Sequence, residues 1–328
     1  MPEIKWPDWY CPMHLQPLSK QDDALFCSQG CCYATHVGIP RFVECDEYAH
    51  SFGLQWKRYR QVQLDSFTGV TVSTDRLRHV LGEDLWNRLK GSLVLEAGCG
   101  AGRFTEVLLK QNANVVSVDL TEAVEANQEN CPQGENHRLA QADILQLPLA
   151  RRQFDLVLCI GVIQHTPSPE KTIAALSEHV KEGGWLVIDH YGYSLSHYTK
   201  TALLFRAVLR RMHSQHALWC TELLVKIFFP FHRMAKNFYP LQALVSRISP
   251  VLCYFHDLPS LSDEQHREWA LLDTYDSLTD WYKHFRTCNQ VCRCLKEEAL
   301  TDIWIKKVGT RVEARAHRPL TSNINGNE

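Results

Sequence analysis

The middle of the chain alternates short apolar runs with amphipathic stretches. Residues 92–95 (SLVL) read as a buried strand, and residues 103–110 (RFTEVLLK) have helical spacing. NVVSVDL (114–120) predicts a second strand, and a third, short one precedes Asp143 in the QADI segment. FDLVLCIG (154–161) predicts a fourth strand, PEKTIAALSEHV (169–180) a helix, and EGGWLVIDHY (182–191) a fifth strand after a Gly-Gly turn. Strand and helix alternating at this spacing predict a doubly wound, Rossmann-like α/β sheet. Such a sheet binds ligands at the carboxyl ends of its strands.

Residues 199–280 break this rhythm. They are apolar, aromatic and helical in pattern, with basic side chains every few positions. No apolar run approaches the roughly 20 residues of a membrane-spanning helix. The composition is that of an ordinary soluble protein: 328 residues, 45% hydrophobic, 22% charged, net charge −2. That balance gives no general pull toward nucleic acid or acidic membranes. The first residues, MPEIKWPDWYCP, lack an apolar signal region, and the 13 scattered cysteines suit reduced thiols. A cytoplasmic protein is expected.

The turn after the first strand, VLEAGCGAGRF, places Glu96, Gly98, Gly100 and Gly102 at alternate positions. Glycines there let the backbone approach a ligand. A pyrophosphate site prefers G-x-G-x-x-G without an acid in front of it. Glu96 instead suits a cationic amino group, which points to S-adenosylmethionine. Asp119, ending the second strand, can accept hydrogen bonds from a ribose diol, and Asp143 lies where an adenine amine could be met.

These stretches, with VVSVDLTEAV and the run from QADILQLPL to GGWLVID, resemble class I S-adenosylmethionine-dependent methyltransferases. CLKEEALTDIWIKKVGTRVEARAHR resembles that class's last helix and antiparallel strand pair. The resemblance implies that Glu96, Gly98, Cys99, Gly100 and Gly102 hold the methionine end. It gives Asp119 and Leu120 the ribose, Asp143 and Ile144 the adenine, and Ile160 and Gly161 the surroundings of the sulfonium.

Near the front, Cys11-x2-His14 is followed by Cys27-x3-Cys31. Two such pairs match a closed four-ligand zinc site, and Cys32 is an alternative to Cys31. The segment resembles zinc ribbons that precede the core in a family of ribosomal RNA guanine methyltransferases, although their first knuckle is usually Cys-x2-Cys. HSFGLQWKRYRQVQLDSFTG, next along the chain, resembles segments that close over the cofactor in bacterial methyltransferases, with Gln55, Trp56 and Tyr59 as contacts. Packing of a helix on the sheet explains Trp56 equally well.

For catalysis, His165 follows the fourth strand, near where a transferred methyl must sit, and histidine can take a proton near neutral pH. Shaping the pocket is the alternative role. His190 and Tyr191 end the fifth strand at the same rim, and Asp273, Asp276 and Tyr282 could touch an acceptor. The insert has three readings: a cap over a lipophilic or bulky acceptor, a basic face for RNA or a membrane surface, or a dimer interface or simple packing layer. Cys288, Cys292 and Cys294 have C-x3-C-x-C spacing, which suits an ordinary helix. The N-P-P-Y phrase of nucleobase amino methyltransferases is absent after strand four, so no DNA partner is expected.

The sequence therefore predicts a zinc-ribbon-like segment (1–43), a helical lid (44–90), the core (91–198), the helical cap (199–280), a last helix and strand pair (281–318) and a tail (319–328). The predicted activity is methyl transfer from S-adenosylmethionine to a small molecule, either lipophilic or a glycan precursor. Ribosomal or transfer RNA is the rival acceptor, and a non-catalytic cofactor-binding scaffold the third reading.

Overall fold

The computed structural model describes residues 6–43, 50–194 and 201–320. The start of the expected lid, the start of the insert and most of the tail lie outside the described residues. The chain begins with a small antiparallel sheet, β1 (Ser19–Gln21), β2 (Ala24–Phe26), β3 (Cys32–His36) and β4 (Ile39–Pro40). Helices α1 (His50–Arg58), α2 (Asp65–Thr68) and α3 (Val72–Asn87) lead into the core.

The core elements are β5 (Leu93–Ala97), α4 (Arg103–Lys110), β6 (Asn114–Asp119), α5 (Ala123–Asn130), β7 (His137–Gln141), β8 (Phe154–Cys159), α6 (Pro169–Ser177) and β9 (Val180–Tyr191). Four helices follow: α7 (Ala202–Leu209), α8 (Ser214–Ala235), α9 (Tyr239–Ile248) and α10 (Asp263–Thr279). The chain closes with α11 (Cys288–Glu297), β10 (Thr301–Val308) and β11 (Arg311–His317). The seven-stranded sheet has the order β10-β11-β9-β8-β5-β6-β7. β5 to β9 pair in parallel, while β11 and β10 run antiparallel. Strand order reverses between β5 and β8, which opens a crevice at their carboxyl ends.

Strand alternation explains the layers. Val94, Val115 and Leu158 pack with Leu77, Leu81 and Val107 of α3 and α4 on one face. Their neighbours Leu95, Val116 and Val157 pack on the other face with Ile173 of α6 and Leu295 of α11. The segment expected as a lid is thus divided. α3 is a core layer, whereas Trp56 of α1 lies against the turn at Gly100. The expected Gly-Gly turn is absorbed into β9. Its register with β8 shifts between Phe154 and Leu156, where a side chain on Gly184 would stand 2.8 Å from the Phe154 carbonyl.

In the insert, Val225 and Phe229 of α8 pack on Ala270 and Leu271 of α10. α10 opens with a capping box, Ser262 with Gln265, and α11 with another, Thr287 with Gln290. Cys288, Cys292 and Cys294 sit on α11 as ordinary helix residues.

Candidate active site

The turn after β5 is tightly constrained. Gly98, Gly100 and Gly102 all have left-handed backbone (φ +79, +50 and +97°). A Cβ on Gly98 would collide with the Val162 side chain, and one on Gly100 would lie 3.2 Å from the Trp56 ring. Gly100 N donates to Asp119 Oδ2 at 2.9 Å, while Asp119 Oδ1 accepts from Thr121 N (2.9 Å) and Thr121 Oγ1 (2.7 Å). An ionised carboxylate offers about four acceptor sites, so Asp119 keeps capacity for a hydroxyl. Burial raises its pKa.

Glu96 lies beneath the turn. Its carboxylate is buried and accepts from Thr105 Oγ1 (2.5 Å) and Ser117 Oγ (3.1 Å). Through one oxygen, Oε2, it ties α4 and β6 beneath the turn. Burial, against those two hydrogen bonds, lifts its pKa to about 7. Cys99 is buried too, in a small cluster with Val124 and Leu139. Leu120 gives its carbonyl to Gln141 Nε2. Asp143 caps the short turn at Ile144–Gln146 by accepting from Leu145 N at 2.9 Å, and Ile144 is buried. Ile160 packs beside the α3 layer. Gly161 donates to Asp189 Oδ1 at 2.6 Å, and a side chain there would meet open space. Arg76 of α3 braces Asp189 from below and also reaches Glu313 of β11.

The chain thus fits S-adenosylmethionine: a glycine turn without side chains, a carboxylate with spare acceptor capacity at the end of β6, and open space at Gly161.

His165 lies in the single turn Ile163–His165 after β8. Its Nδ1 is 3.4 Å from Asp280 Oδ2 and 3.2 Å from the Tyr282 carbonyl, and its ring meets Tyr191 edge-on at 5.4 Å. Burial favours the neutral ring, but the hydrogen bond to Asp280 and the charges of Asp276 and Asp280 outweigh it and raise the pKa. His190 does not share this site. Neighbours on a strand point to opposite faces, and its Nδ1 binds the Tyr191 carbonyl at 2.9 Å while burial lowers its pKa to about 4.

Asp273 and Asp276 of α10 and the helix's C-cap residue, Asp280, follow one another at i, i+3 and i+7. Asp273 accepts from Trp269 Nε1 (3.1 Å) and Gln63 Nε2 (3.3 Å). Asp276 Oδ1 is buried without a hydrogen-bond partner among the described residues, and burial lifts its pKa to about 6. Asp280 is fully buried. Arg206 Nε of α7 lies 2.7 Å away and Lys283 Nζ 3.2 Å; despite burial, these cations and His165 hold its pKa down. Sequence reasoning named Asp273 and Asp276 but missed Asp280 and Arg206. The only signal was the i, i+3, i+7 spacing of the acids.

At the other end of the sheet, the fold gathers Cys11, His14, Cys27 and Cys31, with donor atoms all within 4.8 Å of one another. His14 Nδ1 lies 3.5, 3.4 and 3.5 Å from the sulfurs of Cys11, Cys27 and Cys31. Tetrahedral zinc with bonds of about 2.3 Å to sulfur and 2.0–2.1 Å to nitrogen would set S to N at roughly 3.5 Å. The donor set therefore fits that metal. Cys32 is exposed and outside the group. The Tyr33 hydroxyl and the backbone of His14 and Met13 overcome burial to hold the Cys11 thiol down at about 6. The small sheet packs through Tyr33 and Trp9 on Phe42, and Phe42 N donates to the Gln141 carbonyl of β7.

Residues 95–188 match the family model described as a methyltransferase domain. The chain carries a class I S-adenosylmethionine-dependent methyltransferase domain. It is 31% identical over 111 residues to the ubiquinone biosynthesis O-methyltransferase of Leptothrix cholodnii, covering 33% of this chain and 47% of the relative. The enzyme of the same name from Coxiella burnetii is 30% identical over 115 residues, covering 34% and 49%. The chain thus spans about half the length of these curated relatives. Among solved structures, human N-acetylserotonin methyltransferase in complex with S-adenosylmethionine aligns over 85% of this chain and 61% of its own (14% identity, TM-score 0.46). Magnesium protoporphyrin IX methyltransferase from Synechocystis aligns over 83% and 97% (15% identity, TM-score 0.45).

Proposed function

We propose that this protein transfers a methyl group from S-adenosylmethionine to a hydroxyl of a small-molecule acceptor bound between β8, β9 and α10. The bound cofactor supplies an electrophilic methyl. Gly98, Gly100 and Gly102 would let it approach the backbone, Asp119 would accept from its ribose, and Asp143 with Ile144 would border the adenine. The observation that carries the acceptor side is the meeting of His165, Tyr191 and the α10 carboxylates beside Gly161. Asp280 and the Tyr282 carbonyl engage His165 Nδ1, so the acceptor's proton would be taken at Nε2. A hydroxyl fits this polar wall better than a fully apolar acceptor, because Asp276 can accept its hydrogen bond. The O-methyltransferase relatives point to the same acceptor atom.

We also propose structural zinc at Cys11, His14, Cys27 and Cys31, fixing the small sheet against β7.

The decisive test pairs two measurements on His165→Ala. Methyl-labelled cofactor is incubated with fractionated host extract, and binding of the demethylated cofactor is followed by calorimetry. Label in small metabolites that is lost in the variant, with cofactor binding intact, supports the proposal. Label in an RNase-sensitive fraction, or unchanged turnover in the variant, overturns it.

A further inference from the structure

Thirteen of the 21 exposed large apolar side chains of the described residues fall between Leu203 and Ile248. α8 is apolar on both sides. Val225 and Phe229 face α10, while Trp219, Leu223, Ile227, Phe231 and Met234 run along the opposite side and are exposed. A helix apolar all round is normally buried all round. α9 is inverted outright. It buries Gln242, whose Nε2 lies 3.2 Å from His232 Nδ1 of α8, and exposes Tyr239, Leu241, Leu244 and Ile248. Polar inside and apolar outside is the arrangement of a helix whose outer medium is not water.

The charges identify that medium. Residues 201–248 hold seven Lys and Arg against one acid, in a chain of net charge −2. Arg206 is turned inward to Asp280, and Arg233 and Lys236 pair with Asp263. Arg211, Lys226 and Arg247 are exposed and have no carboxylate partner among the described residues. The lone acid, Glu222, is taken by Tyr59 and Arg58. A second copy of this chain docked face to face would oppose these cations with cations.

We propose that the outer face of α7, α8 and α9 docks on an anionic lipid bilayer. Its apolar side chains would enter the headgroup boundary while Arg211, Lys226 and Arg247 meet lipid phosphates. No described helix is long and apolar enough to cross a membrane, which agrees with lying in the interface. The proposal is independent of the methyl acceptor.

The full chain is sedimented with vesicles of phosphatidylcholine alone and of phosphatidylcholine mixed with phosphatidylglycerol, and its mass in lipid-free solution is read by light scattering. Sedimentation with the mixed vesicles is expected. Lys226→Gln and Arg247→Gln should each weaken it about fivefold, from about 1 kcal/mol per cation near an anionic surface. Phe231→Ser with Met234→Ser should weaken it further at unchanged circular dichroism, because both side chains are exposed. Failure to sediment with mixed vesicles overturns the proposal. So does a stable lipid-free dimer that Phe231→Ser with Met234→Ser dissociates, which would assign the face to a second copy.

Discussion

Replacing Asp280 by asparagine keeps the side chain's shape and removes its charge. In the native protein Asp280 is fully buried and faces three basic groups: Arg206 Nε at 2.7 Å, Lys283 Nζ at 3.2 Å and His165 Nδ1 at 3.4 Å. Removing one partner of a buried ion pair costs about 3–5 kcal/mol, because the other stays buried without compensation. The Arg206 and Lys283 side chains keep 15% and 19% exposure and can recover some hydration. The expected loss is therefore at the low end, about 3 kcal/mol, read from urea unfolding. The substitution also acts on His165, whose pKa is raised despite burial by Asp280 and Asp276. With Asp280 neutral, burial prevails and the pKa falls. A raised histidine pKa adds stability at low pH that is lost as pH rises through the folded value; the variant should lose that component. Carbon-detected histidine titration by NMR follows His165 without any acceptor, and calorimetry should show cofactor binding unchanged. If His165 titrates at the same pH in both proteins, or the stability does not move, the coupling described between α7, α10 and β8 is wrong.

Gly98→Ala introduces a Cβ into the Val162 side chain at a backbone φ of +79°. A stability loss of about 2–4 kcal/mol and weaker cofactor binding are expected, with Val162→Ala relieving the collision but not the strain. Glu96 has a folded pKa of about 7 against 4.5 for the free side chain, so the native state holds an extra proton between those values and loses stability as pH rises across them. Glu96→Gln should flatten that slope in denaturation curves taken from pH 4 to 8. Cys27→Ser should lower the metal content, read by elemental analysis, from about one zinc per chain. It should also release Trp9 from Phe42, seen in tryptophan fluorescence; a metal-free wild type with unchanged fluorescence would remove zinc from the account.

The sheet was legible because its strands are buried on both faces and read as continuous apolar runs between turn residues. The antiparallel end was legible from the last segment's likeness to its class. Glu96 was legible as an acid at the turn, but its hydrogen bonds to Thr105 and Ser117 were not, because α4 and β6 bring those partners up. His190 and Tyr191 were adjacent letters placed at one rim, but strand alternation separates them. Asp280 was hidden because its meaning comes from Arg206, 74 residues earlier, and from His165, 115 residues earlier. The insert was read as apolar, correctly in composition. Which side of α8 and α9 would face outward depends on where His232 and Gln242 meet, and periodicity cannot supply that.

The central sheet has two outer strands, and each is guarded differently. β10 carries Lys306 and Lys307, charges that discourage another chain from adding to it. β7, HRLAQ, has little such protection and is covered by the front segment, through the Arg41–Gln141 bridge and the Phe42 hydrogen bond to the Gln141 carbonyl. Whatever detaches that segment, whether chelation, thiol oxidation or a proteolytic cut, would leave the main core folded with a bare strand along one side. Damage at the cysteines should therefore first appear as self-association through β7, in a protein whose secondary structure still looks intact.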